Sequence, residues 1–521
     1  MLIGLRGWST TFLNSIGAIY MLGCFNGERL SAEDSRLRRL EFPAAYPQTT
    51  ATRHEPSTAI KQYSSGRSSI LGLADDGKVW MWQSYVGKAV NAWDESEQYL
   101  MATIGWNHNS VYVRDKGIIY WTCGQESDLI PGGRRETLAV ADMMIIESTT
   151  VLGTGYSRTR DEECTEDSLE YLIGQVTAHV VLRDYIVFIT DLNKVFYCRT
   201  TEASLFDEPI DITSFFTAIV TEKFKIRGLE GAFTQFAVTT DDGEVVVASI
   251  EPLRRFMEEN QDANGDLEAL SPIASIHLSK AENMVSLAFG DHHFLTLHTD
   301  GKIKAYGTEY GRRGGLGLGD TNQTKIGKLR GLMNDLEGTY LPHGEGRTVF
   351  FEPLMATWLE HMVHQSNRGS RLEHRNQIAR LAWADYFEQK GAEWEGDLTG
   401  EGDIGAYHVL QVAGGGWSSA ALVMMDEEKA EKARKAHMAG SAWKQTGNTY
   451  ETGNTLSEQL GKAVCAICEW AWELGRELLG LTARDSMREA EGDRTKYIWS
   501  DEPFPRLRLP TGEILPAGPY I

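Results

Sequence analysis

The sequence is short of cysteine, of positive charge and of long apolar runs, and each shortage closes off a class of protein. Six cysteines in 521 residues are too few for a disulfide scaffold, which suits a reducing cytoplasm or nucleus. Lys and Arg number 51 against 73 Asp and Glu, a formal charge of −22. A chain so acidic is repelled by phosphate backbones, and no basic cluster along it is large enough to reverse that, so no nucleic-acid partner is expected. No run of about 20 apolar residues is present to span a bilayer. The opening "MLIGLRGWSTTFLNSIGAIY" is interrupted by polar residues too often for a secretory leader, and no membrane partner is expected either.

Catalytic signatures are lacking as well. There is no nucleophile elbow, HExxH or paired-carboxylate motif. The run "GRRGGLGLGD" from Gly311 has the glycines of a phosphate cradle, but "TNQTKIGKL" follows where a helix and Walker residues should stand. "DANGD" from Asp262 misplaces the glycine of a calcium loop. Cys465 and Cys468 have metal or redox spacing without a second pair, and they lie on an apolar helical stripe, which reads as buried structural thiols. The histidines are scattered, with His361, His364 and His374 in a helical stretch. No enzyme, cofactor or metal is expected.

A repeat is what the sequence does have. "HHFLTLHTDGKIKAYG", just after Gly290, is an alternating strand, an Asp300-Gly301 turn and a second strand. The same pattern starts at Gly66 with Asp76-Gly77 in the turn, at Gly105 with Lys116-Gly117, and at Gly231 with Asp242-Gly243. Gly7 opens another copy that turns at Gly17, and Asp184 opens one with Asn193 in the turn, the residue that best tolerates positive φ after glycine. Gly416 begins a first half that departs into a helix. Hairpins are thus expected near 7–27, 66–83, 105–124, 184–199, 231–249, 290–320 and 416–425, the last completed by 496–517. Small antiparallel sheets packed radially solve this pattern economically, so the expected fold is an all-β, seven-bladed β-propeller forming a single domain.

Helical excursions interrupt it. The stretch 351–394 reads as a helical insertion and 426–490 as a second excursion. The latter includes a capping box, Thr455-Leu-Ser-Glu458, and an apolar stripe from Leu456 through Val464 and Leu474 to Leu481, a C-terminal amphipathic helix.

Candidate binding residues follow the repeat glycine. Trp8, Trp106 and Trp417 recur in "GW", with Asp184, Tyr185, Asp291, His292, His293 and His108 in similar places. Strand-entry residues gather at one end of a propeller's channel, where aromatics mixed with acids and histidines suit a protein partner. The same tryptophans also fit as wedges between blades.

Gly290, His293, Asp300, Gly301, Tyr306, Gly307, Gly317, Gly319 and Asp320 match the pattern of the regulator-of-chromosome-condensation repeat family, which the chain resembles over nearly its whole length. Ser69, Thr234 and Ser419 stand where that pattern has His. Within the family, the diverged repeats, "GW" openings, helical insert and acidic charge look like the fungal SCF-associated factors, which carry an F-box before the propeller. That resemblance implies a substrate receptor of an SCF-type ubiquitin ligase, with a protein substrate and cullin ligase subunits as partners. This chain enters its first blade within ten residues, with no F-box before it. The wider family implies the alternative of a nucleotide exchange factor or scaffold for a small GTPase.

Overall fold

The computed structural model describes residues 2–440 apart from 7–8, 26–35, 92–98, 115, 124–125, 128–136, 141–143, 148–172, 201–208, 218–224, 260–274, 279–283, 311–314, 319–329, 335–337, 342–345, 353–383, 386, 390, 393–394 and 396–404. The chain divides into two units, Met1–Ala433 and Arg434–Ile521. All the strands among the described residues lie in the first.

Each of the first six repeats forms the second and third strands of an antiparallel sheet. In the sixth, His293–His298 pairs with Ile303–Tyr310, Leu297 opposite Ile303. The turn between the two strands needs a left-handed residue in every copy. Gly17, Gly77, Gly117, Gly243 and Gly301 supply it at φ 76–125°, and Asn193 supplies it at φ 60°. Asp76 and Asp300 add a second lock, each accepting the N–H of the lysine two residues on.

A strand precedes each repeat on the inner side. These are Leu2–Arg6, Ile60–Ser65, Tyr99–Ile104, Val176–Val181, Ile226–Ala232, Met284–Phe289 and Tyr407–Gly415. Each touches the next, and the last touches the first, so they close a ring around one channel. Short outer strands follow: Arg38–Arg39, Lys88–Asn91, Met144–Glu147, Ile210–Asp211, Ser275–Leu278 and Arg347–Val349. The fold is an all-β propeller.

The blade count differs from the seven expected. Among the described residues six blades have four or more strands, and the seventh repeat makes only a two-stranded hairpin, Tyr407–Gly415 with Ser418–Met425. The reason is local. After Met425 no Asp-Gly turn follows; Asp426 caps a helix, Glu427–Gly440, by accepting the Lys429 N–H. Residues 496–517, expected to complete this blade, and the amphipathic helix within 426–490 lie outside the described residues. So does most of the 351–394 insertion, of which helical residues between 384 and 392 are described.

Six apolar clusters fill the junctions between consecutive blades, from Trp80 and Trp82 with Ile19 and Met21 between the first two to Leu295 and Ile303 with Val409 and Val412 between the last two. The junction of the seventh blade with the first is made differently. The Gln411 amide bridges the Ile3 backbone, accepting its N–H at 2.8 Å and donating to its carbonyl at 3.5 Å. Gly415 lies so close to Leu5 that a Cβ would come within 2.3 Å of its carbonyl.

Candidate functional site

In the second to seventh blades a tight two-residue turn joins the inner strand to the second strand. The bond that closes it recurs: Gly66 N–H to Ser69 O, Gly105 to His108, Leu182 to Tyr185 and Gly290 to His293, all at 2.8–2.9 Å. Because every inner strand enters the ring in the same sense, all these turns gather at one mouth of the channel. The described pairs are Arg67-Ser68, Trp106-Asn107, Arg183-Asp184, Phe233-Thr234, Asp291-His292 and Gly416-Trp417.

Their side chains form a connected ladder. The Arg67 guanidinium sits 4.8 Å over the Trp106 ring. Trp106 reaches past the fourth blade to Phe233, 5.0 Å between ring centres, and Phe233 meets His292 edge-on at 5.4 Å. Arg183 covers Phe233 at 5.7 Å, and its backbone N–H donates to the Phe233 carbonyl at 2.6 Å. Phe233 adopts φ 53°, a left-handed conformation that a bulky residue holds only when its surroundings require it. Asn107 donates from its amide to Asp184, and the Asp291 N–H donates to Gly416 O.

The expected residues divide into three groups. Trp106, Asp184, Asp291, His292 and Trp417 are in the turns, Trp417 with 43% of its surface open. Three others are buried inside blades: His108 against Thr200 and Tyr120, Tyr185 against Tyr197, and His293 against Ser419. They begin the second strand just after the turn, where the chain dives into the blade. Trp8 lies outside the described residues. Arg67, Arg183 and Phe233 are members that residue type alone does not reveal. The signal for them is register, since each occupies the slot that Trp106 occupies in its own blade.

Burial sets the ionisation of this end. Desolvation pushes the Asp291 carboxyl up to about 6, against the pull of the Arg67 charge. His293 is held down to about 4, first by burial and then by the neighbouring His292. The Ser419 hydroxyl donates to Gly315 O at 2.5 Å, so His293 Nε2 is the donor in its 2.8 Å bond to that oxygen.

Below the mouth lies a cavity of about 720 Å³ walled by all seven inner strands. Glu230 stands on the fifth strand with its side chain exposed within the cavity, where the desolvating walls push its carboxyl up to about 7. His179, on the fourth strand, is lowered to about 4 by burial and bonds through Nε2 to Ser110 at 2.8 Å. No helix among the described residues is long and apolar enough to cross a membrane.

This architecture, a closed ring of radial blades with one mouth built from equivalent turns, defines a β-propeller with a candidate binding end. The chain is 24% identical over 292 residues to SCF-associated factor 1 of Saccharomyces cerevisiae, a match that takes in 52% of this chain and 37% of that protein's length. Among solved structures it is similar to Prp20p of Saccharomyces cerevisiae, described with its binding to Gsp1p and histones, at 12% identity and a TM-score of 0.45 over 84% of this chain and 85% of that one. It is also similar to human WBSCR16, at 13% identity and a TM-score of 0.37 over 74% of this chain and 77% of that one. No protein-family model matches the chain.

Proposed function

We propose that the propeller captures a protein through its turn-bearing mouth and does so as the substrate-recruiting part of an SCF-type ubiquitin ligase, in the cytoplasm or nucleus. In this reading it is a binding protein and not a catalyst. The observation that carries the capture is the ladder Arg67–Trp106–Phe233–His292, with Trp417 exposed beside it. Tryptophan, tyrosine and arginine dominate the energetics of protein interfaces, the aromatics through rigid buried area and arginine through its planar, multiply donating guanidinium. Support for the ligase comes from the similarity to SCF-associated factor 1.

The full chain, expressed natively, and its W106A/F233A variant would be purified and the accompanying proteins identified. A cullin and its adaptor should accompany both, while a specific client accompanies wild type and is lost at least about tenfold from a variant of native thermal midpoint. If no ligase subunit accompanies either chain, the ligase reading falls. If purified chain also speeds nucleotide release from a co-purifying small GTPase, an exchange factor replaces it.

A further inference from the structure

We propose that the channel is a receptor for one organic cation, an ammonium or guanidinium group, held against the carboxylate of Glu230. This stands apart from the ligase reading and rests on the cavity alone.

Room comes first. The seven inner strands stand around an open channel. The cavity between them measures about 720 Å³, within the range of sites that enclose a small molecule or a long side chain. A propeller core could have been filled with Leu and Phe, as the junctions between blades are. It is not.

Charge comes second. Arg67, Glu230 and Asp291 are the charged side chains among the described lining residues. Arg67 is committed to the Trp106 ring and to the field of Asp291. Glu230 has no hydrogen-bond or ion-pair partner among the described residues. The other titratable groups on the wall do not help it. His179 is neutral and already donates to Ser110, whose own hydroxyl donates to Thr103 O. The Tyr63 hydroxyl is spent on the carbonyls of Leu2 and Thr11. A carboxylate without a partner on the wall of a protein-lined channel is stabilised by a cation arriving beside it. An anion would be repelled, and a neutral ligand would leave the carboxylate as it is.

The rest of the wall suits an N–H-rich group. Gln62 and Thr103 stand on adjacent inner strands with neutral oxygens able to accept from it. The mouth above already holds two guanidinium groups on aromatic faces, at 4.8 and 5.7 Å, so this end accommodates that chemistry. The cation can arrive as a free amine or as the Lys or Arg side chain of a bound protein.

Calorimetry on the full chain tests this with four probes: arginine amide, lysine amide, a capped Gly-Arg-Gly peptide, and the same peptide with neutral citrulline for arginine. At least one cationic probe should bind, the citrulline peptide should bind at least about tenfold more weakly, and E230Q should lose about tenfold in affinity for the cation. Binding by the free amides as tight as by the peptide assigns a free cation; binding by the peptide alone assigns a side chain of a partner. The E230Q chain should remain folded, with a thermal midpoint at pH 8 at or above that of wild type. The folded carboxyl holds its proton to higher pH than the unfolded one, so wild type loses stability as pH rises toward and past about 7. Equal binding of arginine and citrulline peptides, unchanged cation affinity in E230Q, or no cation bound at roughly 10 mM overturns the proposal.

Discussion

The second blade and the seventh occupy equivalent places in one ring and are built to different standards. In the second, every residue of Ile70–Ala74 and Val79–Trp82 is buried. Trp80 and Trp82 are fully enclosed, with Phe42 edge-on to both, and each indole N–H finds a carbonyl, Ser57 and Glu41. In the seventh, no residue of Ser418–Met425 is fully buried, and Leu410, Met424 and Met425 are each about half open. Both contribute an inner strand of similar design to the channel. The difference lies in what covers the second strand. A third and fourth strand shield it in blade two and are not described in blade seven. A blade's share of the ring and its share of the stability are therefore separate quantities.

Substitutions can break or sharpen that contrast. Trp80→Ala should cost about 3–5 kcal/mol, the usual scale for emptying an aromatic site, whereas Leu422→Ala should cost less than about 1.5 kcal/mol. Urea unfolding of the two variants checks this, and similar losses would show that the seventh hairpin is a full structural partner. Gln411→Leu should cost about 1–3 kcal/mol by orphaning the Ile3 N–H, and the loss should appear as faster hydrogen exchange at Ile3 before it appears elsewhere. The smallest effect belongs to the one turn without glycine. Asn193→Gly should change stability by less than about 1 kcal/mol: the backbone is already left-handed, and what is lost is the 2.6 Å bond from the Ile226 N–H to the Asn193 side chain. A larger loss, measured by thermal melting, would mean that this bond rather than the turn holds the fourth and fifth blades together.

Much of the propeller was legible because the second and third strands of each blade alternate and meet at a turn of restricted chemistry. Asn193 could be placed in that series on conformational grounds alone. The inner strands were not legible, and their residues explain it. Six of them slip register by one residue, at Lys61, Leu100, Thr177, Arg227, Val285 and Leu410, which breaks the period-two pattern. The fifth also reads "IRGLEGA", with the glycines and the carboxylate of a channel wall instead of a packed strand. At the mouth, Trp106, Asp184, Asp291, His292 and Trp417 were visible by residue type. Arg67, Arg183 and Phe233 share their turns but not their chemistry, and only alignment of the turns brings them out. His108, Tyr185 and His293 are close to the mouth in sequence yet buried, because a two-residue turn returns the chain into the sheet at once.

The clasp between Ile3 and Gln411 joins positions 408 apart, and this orders events at the ribosome. At roughly 5–20 residues per second, about 20 to 80 seconds separate the emergence of the two partners. Throughout that interval the first blade has a finished flank toward the second and a bare one on its other side. The nascent chain is then an open fan of blades, and its first strand, carrying Leu2, Ile3 and Leu5, is the surface most in need of a chaperone until the last repeat is made.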